Sequence, residues 1–268
     1  MVSWPELVST ALRGREMKQM FIVGHGGPEK LQLRESADPS PAAGEIRIRV
    51  KASGINFADI LARQGLYPDS PKIPCVVGYE VSGLVDAVGA GVNHSWVGRD
   101  VFALTRFGGY SDVVVVPEKQ VFAKPASLSY EQAAAIPVNY LTAWQLLVVM
   151  GSLKHDETDG RLGMFGISVA TASKLVGPLR LVPVALGMPL FHPLFLMNTN
   201  KSVFGVNLGH MWHETDMIAA WMEILLKGVA DGWVRPHVDK SFPLAQAGEA
   251  QTYMEERKNT GKVVLTTP

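Results

Sequence analysis

The chain lacks most features that would mark a specialised class. Cys75 is its only cysteine in 268 residues. A single cysteine excludes an internal disulfide and a cysteine-rich zinc lobe, and it fits a reducing, cytoplasmic compartment. Net charge is missing too, because Lys plus Arg and Asp plus Glu both number 25. No long-range field therefore favours nucleic acid or an acidic membrane surface. No P-loop, nucleophile elbow or basic aromatic patch occurs. The histidines at 25, 94, 155, 192, 210, 213 and 237 include one pair at ligand spacing, His210 and His213. With no third ligand evident, that pair reads as a surface feature.

Convincing membrane or export segments are missing as well. MVSWPELVSTALRGRE has no continuous apolar stretch and does not read as a secretory signal. Residues 1–16 read as an extension, with the fold beginning at Met17. Leu175 to Met197 is apolar and long enough to raise a transmembrane reading. Pro178, Pro183, Pro189 and Pro193 interrupt it, however, and Arg180 and His192 lie inside it. Repeated loss of helical hydrogen bonds is poorly tolerated against lipid. A buried loop with short helical turns, or a pocket lid, is the expectation.

What is present begins with β structure. KQMFIVG and EKLQLRE flank the turn HGGP and read as a hairpin. EIRIRVKASGI alternates apolar Ile46, Ile48 and Val50 with charge, the pattern of a half-buried strand. FADILARQG reads as one or two helical turns. In VVGYEVSGLVDAVGAGV, glycines at 78, 83, 89 and 91 punctuate a β-branched run, marking bulges or corners where a sheet curls into a small barrel. DVFAL and YSDVVVVP continue it. SLSYEQAAAIPVNYLTAWQLLVVMG reads as a capped helix pair, with Ser127 or Ser129 at the N-cap and Glu131 in the first turn.

The blocks GINFADILARQGLYP, PCVVGYEVSGLVDAVGAGV and FGGYSDVVVVPEKQVFAKPASLSYEQAAAIPVNYLTAW, in this order, resemble the quinone oxidoreductase branch of the medium-chain dehydrogenase/reductase superfamily. Within it they are most similar to the group of synaptic-vesicle membrane protein homologues. The resemblance runs from Met17 to about Lys154 and again from about Gly160 to Pro268. It implies an α/β fold, with a GroES-like β-barrel catalytic domain (17–138 plus 243–268) beside a Rossmann-type domain (139–242) that binds NADPH. Zinc-dependent relatives carry a cysteine early in the barrel and a histidine in a Gly-His-Glu block. Here SGINFAD has no cysteine, and Tyr79 stands in GYE. The resemblance therefore implies no metal, and Cys75 reads as a small buried apolar residue.

The stretch GSLKHDETDGRLGMFG breaks the pattern. A Rossmann domain feeds a strand into a Gly-x-Gly-x-x-Gly turn whose backbone N–H groups and helix N-terminus hold the pyrophosphate. No such turn occurs between Gly151 and Gly177. The chain passes from GSLKHDET directly to a segment resembling the family's fifth Rossmann strand. Roughly 80 residues, three to four β-α units, are absent by the size of such units. The seam lies near Thr158–Asp159. Two strands remain, in GRLGMFGIS and KSVFGVNLGH, with a helix in HETDMIAAWMEILLKGVADGWV. Met217, Ala220, Trp221, Ile224, Leu225 and Val229 mark that helix's expected apolar face. LAQAGEAQTYMEERKNTGKVVLTTP is expected to return to the barrel as a helix and strand.

By the resemblance, Asn56, Asp59 and Tyr67 line the substrate and nicotinamide side as catalytic residues. Asn139 and Thr142 touch the nicotinamide. Phe165, Gly166 and Ile167, with Phe204, Gly205 and Val206, pack around the cofactor, and Asn259 and Lys262 approach its phosphate end. Each also has a plainer reading. Asn56 and Asp59 suit a cap on FADILARQ, Tyr67 before Pro68 suits turn packing, Thr142 suits back-bonding to a helix carbonyl, and Lys262 suits solvent. The expected activity is reduction of a small apolar carbonyl or quinone by NADPH without zinc, with the missing phosphate turn against it. The alternative is a non-catalytic remnant or isoform that binds small molecules or a protein. Pairing of two copies through the 202–209 strand is implied by the same resemblance.

Overall fold

The computed structural model describes residues 16–153, 160–166, 179, 182–199 and 201–268, without the side chains of 183 and 184. The Thr158–Asp159 seam and Ile167 lie outside the described residues.

The expected hairpin is β1 (Glu16–Ile22) and β2 (Leu31–Ala37), antiparallel around a 3-10 turn at Pro28–Lys30. β1 begins at Glu16, one residue before the boundary expected. β3 (Glu45–Gly54) buries Ile46, Ile48, Val50 and Ala52 while its alternate positions face outward, as its period-two pattern requires. α1 (Phe57–Arg63) is two turns long. β4 (Cys75–Val76) joins β1, and Cys75 is buried there as a free thiol.

β5 (Glu80–Val88), β6 (Asp100–Leu104), β7 (Val113–Pro117) and β8 (Val121–Ala123) complete the first half. The larger sheet runs β11-β12-β3-β5-β6-β8, and β7 pairs with the other part of β3. The β3–β5 register shifts twice, and Gly83 shows why glycine is required at this corner. A Cβ there would lie 2.0 Å from the Arg49 carbonyl oxygen, so the two backbones could not approach.

α2 (Tyr130–Ala134) starts from Ser129, whose side chain accepts from Gln132 N, so of the two candidate caps it is Ser129 that serves. α3 (Pro137–Trp144) follows and runs into a π-helical turn, Gln145–Met150. Beyond 160 the elements are β9 (Arg161–Phe165), the short α4 (Val182–Gly187) and α5 (Pro193–Thr199), and β10 (Ser202–Val206). β9 and β10 form a two-stranded parallel sheet. No described helix is long and apolar enough to cross a membrane.

α6 (Thr215–Asp231) is the expected helix, but its buried face differs from the expected one. Ile218, Trp221, Met222, Leu225 and Gly228 are buried, whereas Met217, Ala220 and Ile224 are exposed. The helix packs on barrel residues Phe102, Leu104, Leu128 and Ile136 in one continuous apolar cluster. That partner selects the 218/221/222/225 stripe over its neighbour, which is nearly as apolar. β11 (Val238–Pro243), α7 (Ala247–Glu255) and β12 (Lys262–Thr266) bring the chain back, with β12 lying between β11 and β3.

Candidate active site

The site is built on the segment Gly78-Tyr79-Glu80, where the chain enters β5. Gly78 has φ +106°, and a Cβ there would meet the Gly109 Cα at 2.8 Å, so only glycine suits this crossing. Its N–H donates to Asp59 Oδ1 at 3.1 Å. Successive side chains along extended backbone point to opposite sides. Tyr79 enters an aromatic cleft, and Glu80 enters a buried polar cluster.

In the cluster, Glu80 is fully buried and Lys262 is 5 % exposed. Lys262 Nζ sits 2.5 Å from Glu80 Oε1. Lys262 also donates to Asn56 Oδ1 at 2.7 Å and Asn139 Oδ1 at 3.2 Å, and Asn56 Nδ2 donates to Glu80 Oε1 at 3.0 Å. Glu80 Oε2 accepts from Val138 N at 2.8 Å, so the carboxylate also caps the start of α3. The reading of Lys262 as solvated is corrected: β12 carries it inward, where the buried carboxylate compensates its desolvation.

Asp59 forms a second polar centre nearby. Its carboxylate accepts from Asn56 N at 2.8 Å and from the Tyr110 hydroxyl at 3.2 Å, besides Gly78 N. The capping reading therefore holds for Asp59, while the Asn56 side chain turns away to Glu80 and Lys262. Burial pushes the Asp59 carboxyl up to about 7, against the Asn56 N–H, the Lys262 charge and Tyr110, which pull it down. Gln251 Nε2 lies 3.4 Å from the Tyr110 hydroxyl, and Gln251 accepts from the buried Arg63 at 2.6 Å.

The cleft, about 260 Å³, lies between the barrel and the turn after β10. Its walls include Tyr67, Tyr79, Phe107 and Trp212. Tyr79 meets Tyr67 edge-on at 6.1 Å, Phe107 at 5.5 Å, and Trp212 nearly parallel at 6.3 Å. The Asn207 side chain accepts from Gly209 N and shapes the turn that carries His210 and Trp212 into place. His210 meets Asp69 at 3.1 Å at the exposed mouth, beside Arg106 and His213. A larger depression of about 550 Å³ lies against α7 and the start of β2. Its lining lacks Tyr67 and Tyr79, whereas the smaller cleft is walled by Tyr79, whose chain neighbour Glu80 enters the polar cluster, so the smaller cleft is the candidate site.

Asn56, Asn139 and Lys262 thus converge, Asp59 adjoins them through Asn56, and Tyr67 faces the cleft. Thr142 is half-buried on α3. Phe165, Gly166, Phe204, Gly205 and Val206 belong to the two-stranded sheet or its end, where Phe165 is 61 % exposed. Asn259 Nδ2 donates to Gly261 O, in the turn before β12. Glu80, Phe107 and Trp212 were not among the residues expected from sequence. The signal for Glu80 was a charge opening an apolar β run.

Two descriptions fit the chain: an alcohol dehydrogenase GroES-like domain over residues 42–126, and a zinc-binding dehydrogenase over 138–265. The chain belongs to the medium-chain dehydrogenase/reductase superfamily. It is 29 % identical to the synaptic vesicle membrane protein VAT-1 homolog of Danio rerio, across 93 % of this chain and 70 % of that protein. That alignment spans 338 positions, more than this chain contains, so the relative carries a stretch missing here. Quinone oxidoreductase 1 of Escherichia coli is 40 % identical across 57 % of this chain and 49 % of that protein. The crystal structure of the human VAT-1 homolog-like protein superposes with a TM-score of 0.78, at 27 % identity, over 94 % of this chain and 98 % of that one. The E. coli quinone oxidoreductase solved in complex with NADPH shares the fold, with a TM-score of 0.73, 22 % identity, and coverage of 93 % of this chain and 100 % of that one.

Among the described residues, the cofactor's two ends differ in fit. The cleft, with its aromatic walls, can border a planar ring. Among the described residues the pyrophosphate has no cradle: the described helices between β9 and β10 cover six and seven residues, and the sequence there carries no Gly-x-Gly-x-x-Gly. The described residues do not fit NADPH as a whole. No described group of three His, Cys, Asp or Glu side chains could hold a metal ion.

Proposed function

We propose that the aromatic cleft is the acceptor site of a zinc-independent, NADPH-dependent quinone oxidoreductase, kept in a chain that no longer holds the cofactor by its pyrophosphate. On this reading the chain binds a small planar quinone or enone and does not reduce it unaided. The four-ring cleft with two phenols at one place carries the reading. Flat apolar faces suit a quinone ring, and a phenol suits its carbonyl oxygen. Zinc independence rests on donor chemistry, since the Tyr79 phenol and the Asn56 amide are poor zinc ligands. Were a complete cofactor domain present, Asn139 and Thr142 would border the nicotinamide. The Escherichia coli quinone oxidoreductase and a mycobacterial protein of the same fold, both solved with NADPH, support that family-level inference.

The test titrates the chain with NADPH and with a soluble naphthoquinone, following fluorescence, beside a chain carrying a full strand–glycine turn–helix segment at 158–159. Saturable quinone binding by both chains, with NADPH binding only by the longer one, is expected. Saturable NADPH binding and quinone turnover by the short chain would overturn the reading. That outcome favours a second one, an active reductase, which the intact Glu80–Lys262–Asn56–Asn139 cluster supports.

A further inference from the structure

One polar group in the cleft has no formed partner. The Tyr79 hydroxyl is buried and meets no donor or acceptor at hydrogen-bond geometry. Tyr79 itself is only 6 % exposed, and its ring is held by Phe107, Trp212 and Tyr67. A buried hydroxyl left in this condition lowers stability, because its lost hydration is not replaced. Phenylalanine would fill the same space without that cost. Packing alone therefore does not explain the oxygen.

Its surroundings define what it can do. The Tyr67 hydroxyl lies close enough for each phenol to alter the acidity of the other. Burial raises both phenols, and the Asp59 charge raises them further. Tyr67 is half-buried and Tyr79 lies deeper, so an incoming ligand meets Tyr67 first. A Cβ on Gly209 would stand 3.0 Å from the Tyr67 hydroxyl, so the turn after β10 limits where that hydroxyl can point.

We propose that Tyr79 is a positioning residue: with a planar carbonyl compound in the cleft, it donates its proton to the Tyr67 oxygen and thereby aims the Tyr67 proton at the ligand's carbonyl. Two phenols in series form a short relay. The inner one fixes the direction of the outer one, and the outer one touches the ligand. No bond is made or broken. The selection favours flat ligands with a carbonyl oxygen over flat hydrocarbons of the same shape. This inference rests on the quinone-binding reading above and specifies which chemical feature the site selects.

The experiment measures binding of 2-methyl-1,4-naphthoquinone and 2-methylnaphthalene by tryptophan quenching, in the full chain and in Tyr79→Phe, Tyr67→Phe and the double variant. The unchanged chain should prefer the quinone. Each single variant should lose about five- to tenfold of quinone affinity while leaving hydrocarbon affinity unchanged. The double variant should lose little more than either single one, because the hydroxyls act in series. A purely structural Tyr79 predicts the reverse pattern for Tyr79→Phe: unchanged quinone preference with equal or higher thermal stability. That result would overturn the relay while leaving the quinone site standing. Equal losses that add in the double variant would replace the relay with two independent donors. Failure of the unchanged chain to bind either compound would sink the relay and the proposed function together.

Discussion

At the scale of single residues, Lys262 and Glu80 hold each other in place inside the protein. Neither charge has an alternative partner in water, so removing one leaves the other buried and uncompensated. Lys262→Met is expected to destabilise the fold by about 3–5 kcal/mol in urea unfolding, and Glu80→Gln added to it to recover part of that loss. An unchanged urea midpoint for the single variant would show that the pair does not matter. Asp59 gives a pH signature. Its folded pKa, about 7, lies above the ordinary 3.8, so the folded state binds the proton more tightly than the unfolded one. The stability this contributes is complete below the ordinary value and is lost as pH rises through about 7. Urea midpoints should therefore fall over that interval, and Asp59→Asn, neutral throughout, should flatten the fall. A wild-type midpoint that rises over the same interval would contradict the direction.

At the scale of elements, the contrast lies between β3 and the β9–β10 pair. β3 has hydrogen-bonded neighbours on both edges and four buried apolar side chains. β9 and β10 have only each other among the described strands, and Leu162, Met164 and Phe165 are exposed. Two strands with an open face are marginal by themselves. Amide exchange should be fast in β9 and β10 and slow in β3 and β5, read by mass spectrometry of peptides from each. Equal protection would mean that something covers the pair.

Much of this organisation was legible in advance. The period-two alternation at 46, 48 and 50 marked β3, and Ser127 or Ser129 bracketed the start of α2, which the structure assigns to Ser129. The two strands expected at GRLGMFGIS and KSVFGVNLGH are β9 and β10, which pair with each other among the described strands. Legibility failed where packing decides between near-equal alternatives. α6 carries apolar residues on two adjoining stripes, and only contact with Phe102 and Leu104 selects one. Lys262 looked solvated because nothing local to KNTGK reveals Glu80, 182 positions away in sequence. Tyr79 entered the sequence reading only as a residue that is not histidine. Its use of the cleft depends on Trp212, brought in by a distant turn.

At the scale of the whole molecule, β10 is an edge among the described strands, and it is the strand through which pairing of two copies was expected. If it pairs, sedimentation velocity should show a reversible shift toward dimer with rising concentration, and Val203→Asp should abolish it by charging the edge. A monomer at every concentration would remove pairing from consideration.

The position of β12 has a consequence for synthesis. It follows every other strand in the sequence yet lies inside the sheet, between β11 and β3, and it delivers Lys262 to Glu80. A ribosome has therefore made all the other strands before this one exists. Until it emerges, β3 lacks one neighbour and the Glu80 carboxylate lacks its cation. The same routing allows the longer stretch of the relative to be absent between β8 and β11 without opening the barrel, because departure and return are both anchored there. The nascent chain should thus stay protease-sensitive through most of its length and become resistant abruptly, when the last strand threads home.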